Sequence, residues 1–460
     1  MIRFATLVLG ALFTLSALAA PPKDSDEAST LESGDAGRRI VALARAYESV
    51  GFTGAVLAAW RGEVVAAVGV GSSDLEGKHP NTPATLFEIA SATKQFTATA
   101  AVRLAQEGKL DLDAPISRYL PGVPKECEAI TTRHLLGHTS GIPGSNVNGD
   151  AADIAKALPQ FLKGGPKYEP GSHWEYWNQG YAIASEIIAK AAGEPYTAYC
   201  KRALFEPAGM RATCFTGDKP PKVSGATPAV GRSGQGPARG ALEHPYGSYG
   251  LQYRGMGGVV TSVWDLWRWD RALATPGKVL GEKGASELFT PGLNSYALGW
   301  FVRTDAKGRK VLSHGGGVRG FACELRRLPD DDACVIVLCN DDRAPARLVA
   351  DAVQAALLGD PAGATPPTPL ADALSKELLG EFRDDKGNTL RTTREGKVVR
   401  AEIEWAGQPG LKTRGYLGNG EAGALIFFDG SETIKAAIER DAKGAVIALT
   451  LTDQRFARTP

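Results

Sequence analysis

The sequence predicts an α+β protein: a sheet built from both ends of a long N-terminal domain, flanked by helices around an inserted helical block, then a small all-β domain. Three observations predict it. Two short Val/Ala-rich runs, Thr53–Trp60 and Glu63–Val70, meet at Arg61-Gly62 and read as a β-hairpin. Strand-like runs return only after about 240 residues of mostly helical pattern, at Val311–His314, Phe321–Leu328 and Ala333–Cys339. Then a Pro/Gly/Ala linker, 359–369, separates this domain from a segment that again reads as short strands.

The elements follow in order. Residues 1–19 carry Arg3, an apolar run from Phe4 to Leu15 and the small residues Ala17 and Ala19, which is the pattern of a cleaved signal peptide. The mature protein is then expected to be periplasmic or secreted, with no stable membrane insertion after cleavage. Residues 20–39 are polar and read as a mobile lead-in. Ile40–Val50 has apolar residues at helical spacing. After the hairpin, Ser91–Gln106 is an Ala-rich helix suited to close packing. Thr132–Gly137, Tyr181–Ala192, Thr197–Leu204, Trp264–Leu273 and Ala344–Leu358 are further helices. Residues 215–258 are rich in Gly, Pro and Ser and form a long connection, which in a compact domain is usually functional. The tail, 370–460, contains strand candidates at Thr389–Thr393, Val398–Trp405, Ala424–Phe428, Thr433–Arg440 and Val446–Thr452, and no catalytic grouping.

Composition narrows the function. The 460 residues hold 52 Lys+Arg against 51 Asp+Glu, a net charge of +1. No basic excess exists to hold a phosphate backbone, so nucleic acid is not expected as a partner. There are six cysteines, with no CxxC and no Cys/His cluster. Export permits disulfides. Cys200 and Cys214, near a helix end and a turn, are the pair to test first, and buried free thiols are the alternative.

Three groupings carry chemistry. In Ser91-Ala92-Thr93-Lys94 the hydroxyl and the amine share one helix face, and a desolvated Lys can serve Ser as a base. Alone the quartet is weak, because a capping Ser and a solvated Lys give the same pattern. In Tyr176-Trp177-Asn178 a phenol near a cation can shuttle a proton, and Asn178 can hold a Lys or a substrate amide; an aromatic loop packed on the core gives the same triplet. In His314-Gly315-Gly316-Gly317, closing a strand, glycines admit a substrate to the backbone, whose free N–H can bind an oxyanion; a plain glycine turn is the other reading.

The order of these groupings resembles the serine β-lactamase and penicillin-binding protein superfamily. The likeness is to the branch with class C β-lactamases, D-alanyl-D-alanine carboxypeptidases, D-aminopeptidases and related esterases. Phe87–Thr97, Leu110–Asp113, His134–Gly141, Gly257–Ser262 and Leu298–Trp300 resemble it too, and the match runs over 40–358. The tail resembles the lipocalin-like β modules that follow some members. The resemblance implies a hydrolase with Ser91 as the nucleophile and Lys94 with Tyr176 as proton relay. It implies an oxyanion hole from the Ser91 and Gly317 amides, and Asn178, His314, Gly315 and Gly316 lining the substrate site. It implies no cofactor. His134 and His138 suggest zinc only superficially, since Leu135 stands where a zincin has Glu; the resemblance makes this stretch structural.

One departure bears on substrate. Many members carry Lys-Thr-Gly where this chain has His314-Gly315-Gly316. A His with an ordinary pKa is mostly neutral at pH 7, so a substrate carboxylate loses a permanent counter-ion unless Arg319 replaces it. The expected function is an exported serine hydrolase acting on esters, D-amino-acid amides or small peptides. β-Lactam or D-alanyl-D-alanine cleavage comes second. A penicillin-binding sensor that acylates and stalls, or a scaffold, is the alternative of another class.

Overall fold

The structure, a computed structural model, describes residues 27–144, 154–234, 236–245, 251–360, 368–395, 398–408, 412–419, 425–429 and 433–459. The expected signal peptide lies outside the described residues. The expected lead-in is described from residue 27, and part of it is regular structure: strand β1 (Leu31–Glu32) pairs with the hairpin, and helix α1 (Gly34–Glu48) starts six residues earlier than its apolar periodicity. Its polar first turn, with Asp35 beside Arg38, is the solvent side of the helix, which hides it from a hydrophobic pattern.

The hairpin is β2 (Gly54–Trp60) and β3 (Glu63–Val70). Far along the chain come β4 (Phe301–Thr304), β5 (Lys310–Val318), β6 (Phe321–Leu328) and β7 (Ala333–Cys339). The seven strands form one sheet in the order β1-β3-β2-β7-β6-β5-β4, with every pairing antiparallel. The register of β7 on β2 runs from Cys334↔Ala59 to Cys339↔Gly54, so the two ends of the domain meet in mid-sheet. All seven β7 residues are buried, as an all-apolar run with helices on both faces demands.

Each face has its own core. On one face α1 and helix α6 (Ala346–Leu357) cover Val56, Val68, Val335 and Val337. On the other, Leu57, Ile336 and Leu338 pack beneath the inserted helical block. Its centre is α2 (Lys94–Gln106), preceded by a 3₁₀ turn at Ala90–Thr93, with α3 (Thr132–Leu136), α4 (Asn178–Ala192) and α5 (Val263–Ala274) around it. Ala98, Ala100 and Ala101 of α2 are fully buried, and such small side chains let neighbours come close. Gly299, at φ 77°, lies where an added Cβ would stand 2.7 Å from the Lys94 carbonyl oxygen; this close approach explains the Leu298-Gly299-Trp300 phrase.

The tail closes as an eight-stranded antiparallel barrel, β8 (Gly380–Arg383), β9 (Thr389–Glu395), β10 (Val398–Glu404), β11 (Lys412–Asn419), β12 (Leu425–Asp429), β13 (Thr433–Arg440), β14 (Val446–Leu451) and β15 (Gln454–Arg458). Five of these strands are legible in the sequence. The other three, GEFR, KTRGYLGN and QRFAR, are short or rich in Gly and cations, so they lack the β-branched runs that mark strands. The barrel wall rests on the first domain: Val398, Tyr416 and Ile426 join the core of the α1/α6 face.

The cysteines correct one expectation. Cys200 and Cys214 form no disulfide: all six cysteines are free and buried.

Candidate active site

Ser91 sits in the 3₁₀ turn that leads into α2. The residue before it, Ala90, has φ 44°, a left-handed conformation that costs a non-Gly residue energy and is found at functional bends. The Ser91 amide belongs to the opening of this turn, where N–H groups lack an acceptor within the helix. Lys94, one turn on, is fully buried; its Nζ donates to Ser91 Oγ at 3.0 Å and to the Met256 carbonyl at 3.0 Å. Burial holds the Lys94 amine well below its usual pKa, since desolvation penalises the charged form.

Tyr176 comes from the loop before α4. Burial raises its phenol pKa above the ordinary value, against the opposing pull of the nearby Ser91 side chain. Lys94 Nζ lies 4.9 Å from the centre of the Tyr176 ring. Three side chains from two distant stretches therefore converge. Asn178 is the first residue of α4, two places on from the phenol and half-buried. Lys94 also has an acceptor in the Met256 carbonyl, in the 215–258 connection, a backbone group for which side-chain motifs hold no signal.

The third grouping departs from the sequence reading in one respect. The strand does not end at His314; β5 runs on through Gly315–Gly317 to Val318, paired residue by residue with β6. An added Cβ on Gly316 would stand 2.2 Å from the Ile89 carbonyl oxygen and 3.0 Å from the Ser91 amide nitrogen, so only glycine lets β5 lie against the Ser91 turn. At Gly317 an added Cβ meets nothing within 4 Å; its surroundings are open. Gly315 is next to Glu324 on β6. His314 is buried, donates from Nδ1 to the Gly315 carbonyl at 2.6 Å, and accepts at Nε2 from the Tyr296 hydroxyl at 3.1 Å. Burial, with Lys94 nearby, pushes its pKa down to about 3. It is a neutral imidazole in one tautomer.

Two features escape sequence reasoning. Glu88, fully buried just before the Ser91 turn, pairs with Arg239 and accepts from the Tyr253 hydroxyl. Arg239 also donates to the Arg319 carbonyl at 2.8 Å, in the β5–β6 turn, and to the Glu243 carbonyl at 2.7 Å. One guanidinium thus links the short strand Phe87–Glu88 that leads to Ser91, the 215–258 connection and the glycine strand. His138 is the second, buried against the Tyr176 ring with centroids 4.3 Å apart. His134 and His138 serve different backbone partners: the Thr131 amide donates to His134 Nδ1 and the Trp177 amide to His138 Nδ1. Among the described residues, no group of three His, Cys, Asp or Glu is arranged to hold a metal, and no helix is long and apolar enough to cross a membrane.

Comparison with known proteins agrees with this architecture. The family model described as Beta-lactamase matches residues 40–360. A putative penicillin-binding protein of Bacillus subtilis, PbpX, is 36% identical over 259 residues, covering 55% of this chain and 63% of the relative, so the chain spans less than two thirds of that protein's length. The octameric penicillin-binding protein homologue from Pyrococcus abyssi superposes with a TM-score of 0.62 at 22% identity, covering 92% of this chain and 100% of that one. A D-stereospecific amidohydrolase from Streptomyces superposes with a TM-score of 0.56 at 26% identity, covering 71% of this chain and 99% of that one. Fold and matches together define a protein of the β-lactamase fold, in the superfamily that holds serine β-lactamases and penicillin-binding protein homologues. The chain belongs to the Beta-lactamase family.

Proposed function

We propose that the protein is an exported serine hydrolase that forms an acyl-enzyme on Ser91 and releases it to water, with neutral esters and D-amino-acid amides as its preferred substrates. The observation that carries this reading is the 3.0 Å contact between Lys94 Nζ and Ser91 Oγ in a buried corner. With the amine neutral, its lone pair takes the Ser91 proton while Oγ attacks the substrate carbonyl carbon. The tetrahedral oxyanion rests on the Ser91 and Gly317 amides. The C–O or C–N bond then breaks, and the leaving group takes the proton through Lys94 and the Tyr176 phenol. Water, deprotonated by the same pair, attacks the acyl carbon, and the proton returns to Ser91. Burial lowers the Lys94 pKa and raises that of Tyr176, which supports Lys94 as the base and Tyr176 as a neutral relay; the two titrate as one coupled unit.

The substrate preference rests on His314. A neutral imidazole in the place of a cation supplies no counter-ion for a carboxylate, which disfavours β-lactams and D-alanyl-D-alanine peptides relative to neutral amides and esters. The amidohydrolase neighbour supports this choice of class. Arg319, in the β5–β6 turn, has a buried Nε with no hydrogen-bond partner, and it is the residue to test for carboxylate binding. The purified protein and Ser91→Ala are incubated with a p-nitrophenyl ester, a D-alanine p-nitroanilide and a chromogenic cephalosporin. Turnover of the first two by wild type alone supports the reading. A stable mass adduct on Ser91 without turnover makes the protein a sensor instead, and no adduct with any substrate overturns the acyl-enzyme. In Arg319→Ala, equal losses on neutral and carboxylate-bearing substrates remove Arg319 from substrate selection.

A further inference from the structure

His138 touches the Tyr176 segment in three ways. Its ring lies against the phenol ring, 4.3 Å between centroids. The Glu175 amide donates to the His138 carbonyl at 2.9 Å, and the Trp177 amide donates to His138 Nδ1 at 3.1 Å. The two amides that flank Tyr176 therefore end on one residue. Their acceptors fix the backbone on either side of the phenol, and the ring contact fixes its tilt.

Two further features separate this histidine from a packing residue. Its backbone is left-handed, φ 58°, a region uncommon for a residue other than glycine. Its second nitrogen, Nε2, must carry the proton because Nδ1 accepts one, yet Nε2 is buried with no partner. An apolar side chain would fill the same space without that unsatisfied donor. What the imidazole supplies, and an apolar residue does not, is the acceptor for the Trp177 amide.

We propose that His138 is a positioning residue that clamps the Tyr176 segment from both sides and so sets the phenol against Ser91. This rests on the acyl-enzyme reading for its effect on turnover, but the clamp itself is measurable without any substrate. Three variants separate its parts. His138→Asn keeps a side-chain acceptor and tolerates the left-handed backbone. His138→Gly keeps only the backbone freedom. Tyr176→Phe removes the hydroxyl that the clamp is there to place.

Hydrogen exchange is followed at the Glu175 and Trp177 amides, and kcat and KM on a neutral p-nitrophenyl ester. In His138→Gly the Trp177 amide, which loses its side-chain acceptor, exchanges at least about tenfold faster, while the Glu175 amide, whose acceptor is the retained backbone carbonyl, changes less; kcat falls about 100-fold, the lower end of what a positioned proton carrier contributes, with KM within about threefold. His138→Asn restores most of both. Adding His138→Gly to Tyr176→Phe lowers kcat by much less than it does alone, because coupled residues are not additive. Wild-type exchange in His138→Gly, or full additivity with Tyr176→Phe, overturns the clamp. If His138→Gly does not fold, His138→Asn still decides: loss of activity there, with protected amides, also overturns it. Failure of wild type to form any Ser91 adduct refutes the hydrolase reading instead and leaves the exchange result standing.

Discussion

Lys94 and Tyr176 share one desolvated corner beside Ser91, and burial moves their pKa values in opposite directions. Lys94→Met is accordingly expected to lower the acylation rate about 10²–10⁴-fold, measured as single-turnover release of p-nitrophenol. The glycines make a sharper pair. Gly316→Ala drives a methyl into the Ile89 carbonyl and the Ser91 amide, and a displaced oxyanion donor costs about 10²–10³ in kcat. Gly317→Ala meets open space and is expected to stay within about threefold. Equal effects would show that β5 does not set the oxyanion site. His314 governs an acid response. Unfolded, it binds a proton near pH 6.5; folded, only near pH 3. Between those values the unfolded chain holds more protons, so stability rises with pH and drains away as acid is added from 6.5 toward 3. His138, likewise held neutral by burial, acts in the same direction. Urea midpoints measured from pH 7 down to 4 should fall, and fall less steeply in His314→Gln. Because His314 stays neutral from pH 5 to 8, that variant leaves the acid limb of kcat/KM where it was.

At the level of elements, the strand leading to Ser91 and the glycine strand are joined by the buried Glu88–Arg239 pair. Removing one member leaves the other charge buried and unpaired, at a cost of about 3–5 kcal/mol. Arg239→Met is therefore expected to lower stability by that order and to cost kcat as well, since its bond to the Arg319 carbonyl is lost; Glu88→Gln, which keeps an acceptor, costs less on both counts. Neither role is legible in sequence. Glu88 falls inside a phrase that resembles the family, but its partner is 151 positions away, in a connection with no periodicity. The candidate side chains were legible because Ser91 and Lys94 share a helical repeat, and because the order of the Ser91, Tyr176 and His314 groupings resembles the family's. The glycine strand was half legible. Its apolar register ends at His314, and glycines have no side chain with which to continue an alternation, so only the backbone pairing to β6 shows that the strand goes on. Main-chain acceptors such as the Met256 carbonyl leave no trace in residue identity at all.

Across the whole molecule, the barrel is more than a tethered appendage. Tyr416 is fully buried beneath Arg400, whose guanidinium carbon lies 4.5 Å from its ring centre. Arg400 pairs with Asp341 at 3.3 Å, just after β7. Gly51, between α1 and β2, faces the same ring: an added Cβ there would stand 2.7 Å from it. Tyr416→Ala is expected to cost about 3–5 kcal/mol, as for other large buried aromatics, and to give the two parts separate unfolding transitions by calorimetry. A single unchanged transition would mean that the interface contributes nothing. The linker and the switch to strand grammar marked this second domain, but the residues that dock it are scattered over three barrel strands and resemble ordinary strand residues.

The pairing of β7 with β2 has a consequence in time. Nearly 300 residues separate these partners, and β5, against which Ser91 leans, reaches the hairpin only through β6 and β7. Contacts so remote along the chain form late. The serine and lysine precede by more than 200 positions the strand that aligns them, so the proposed site is complete only once the chain through Cys339 has folded.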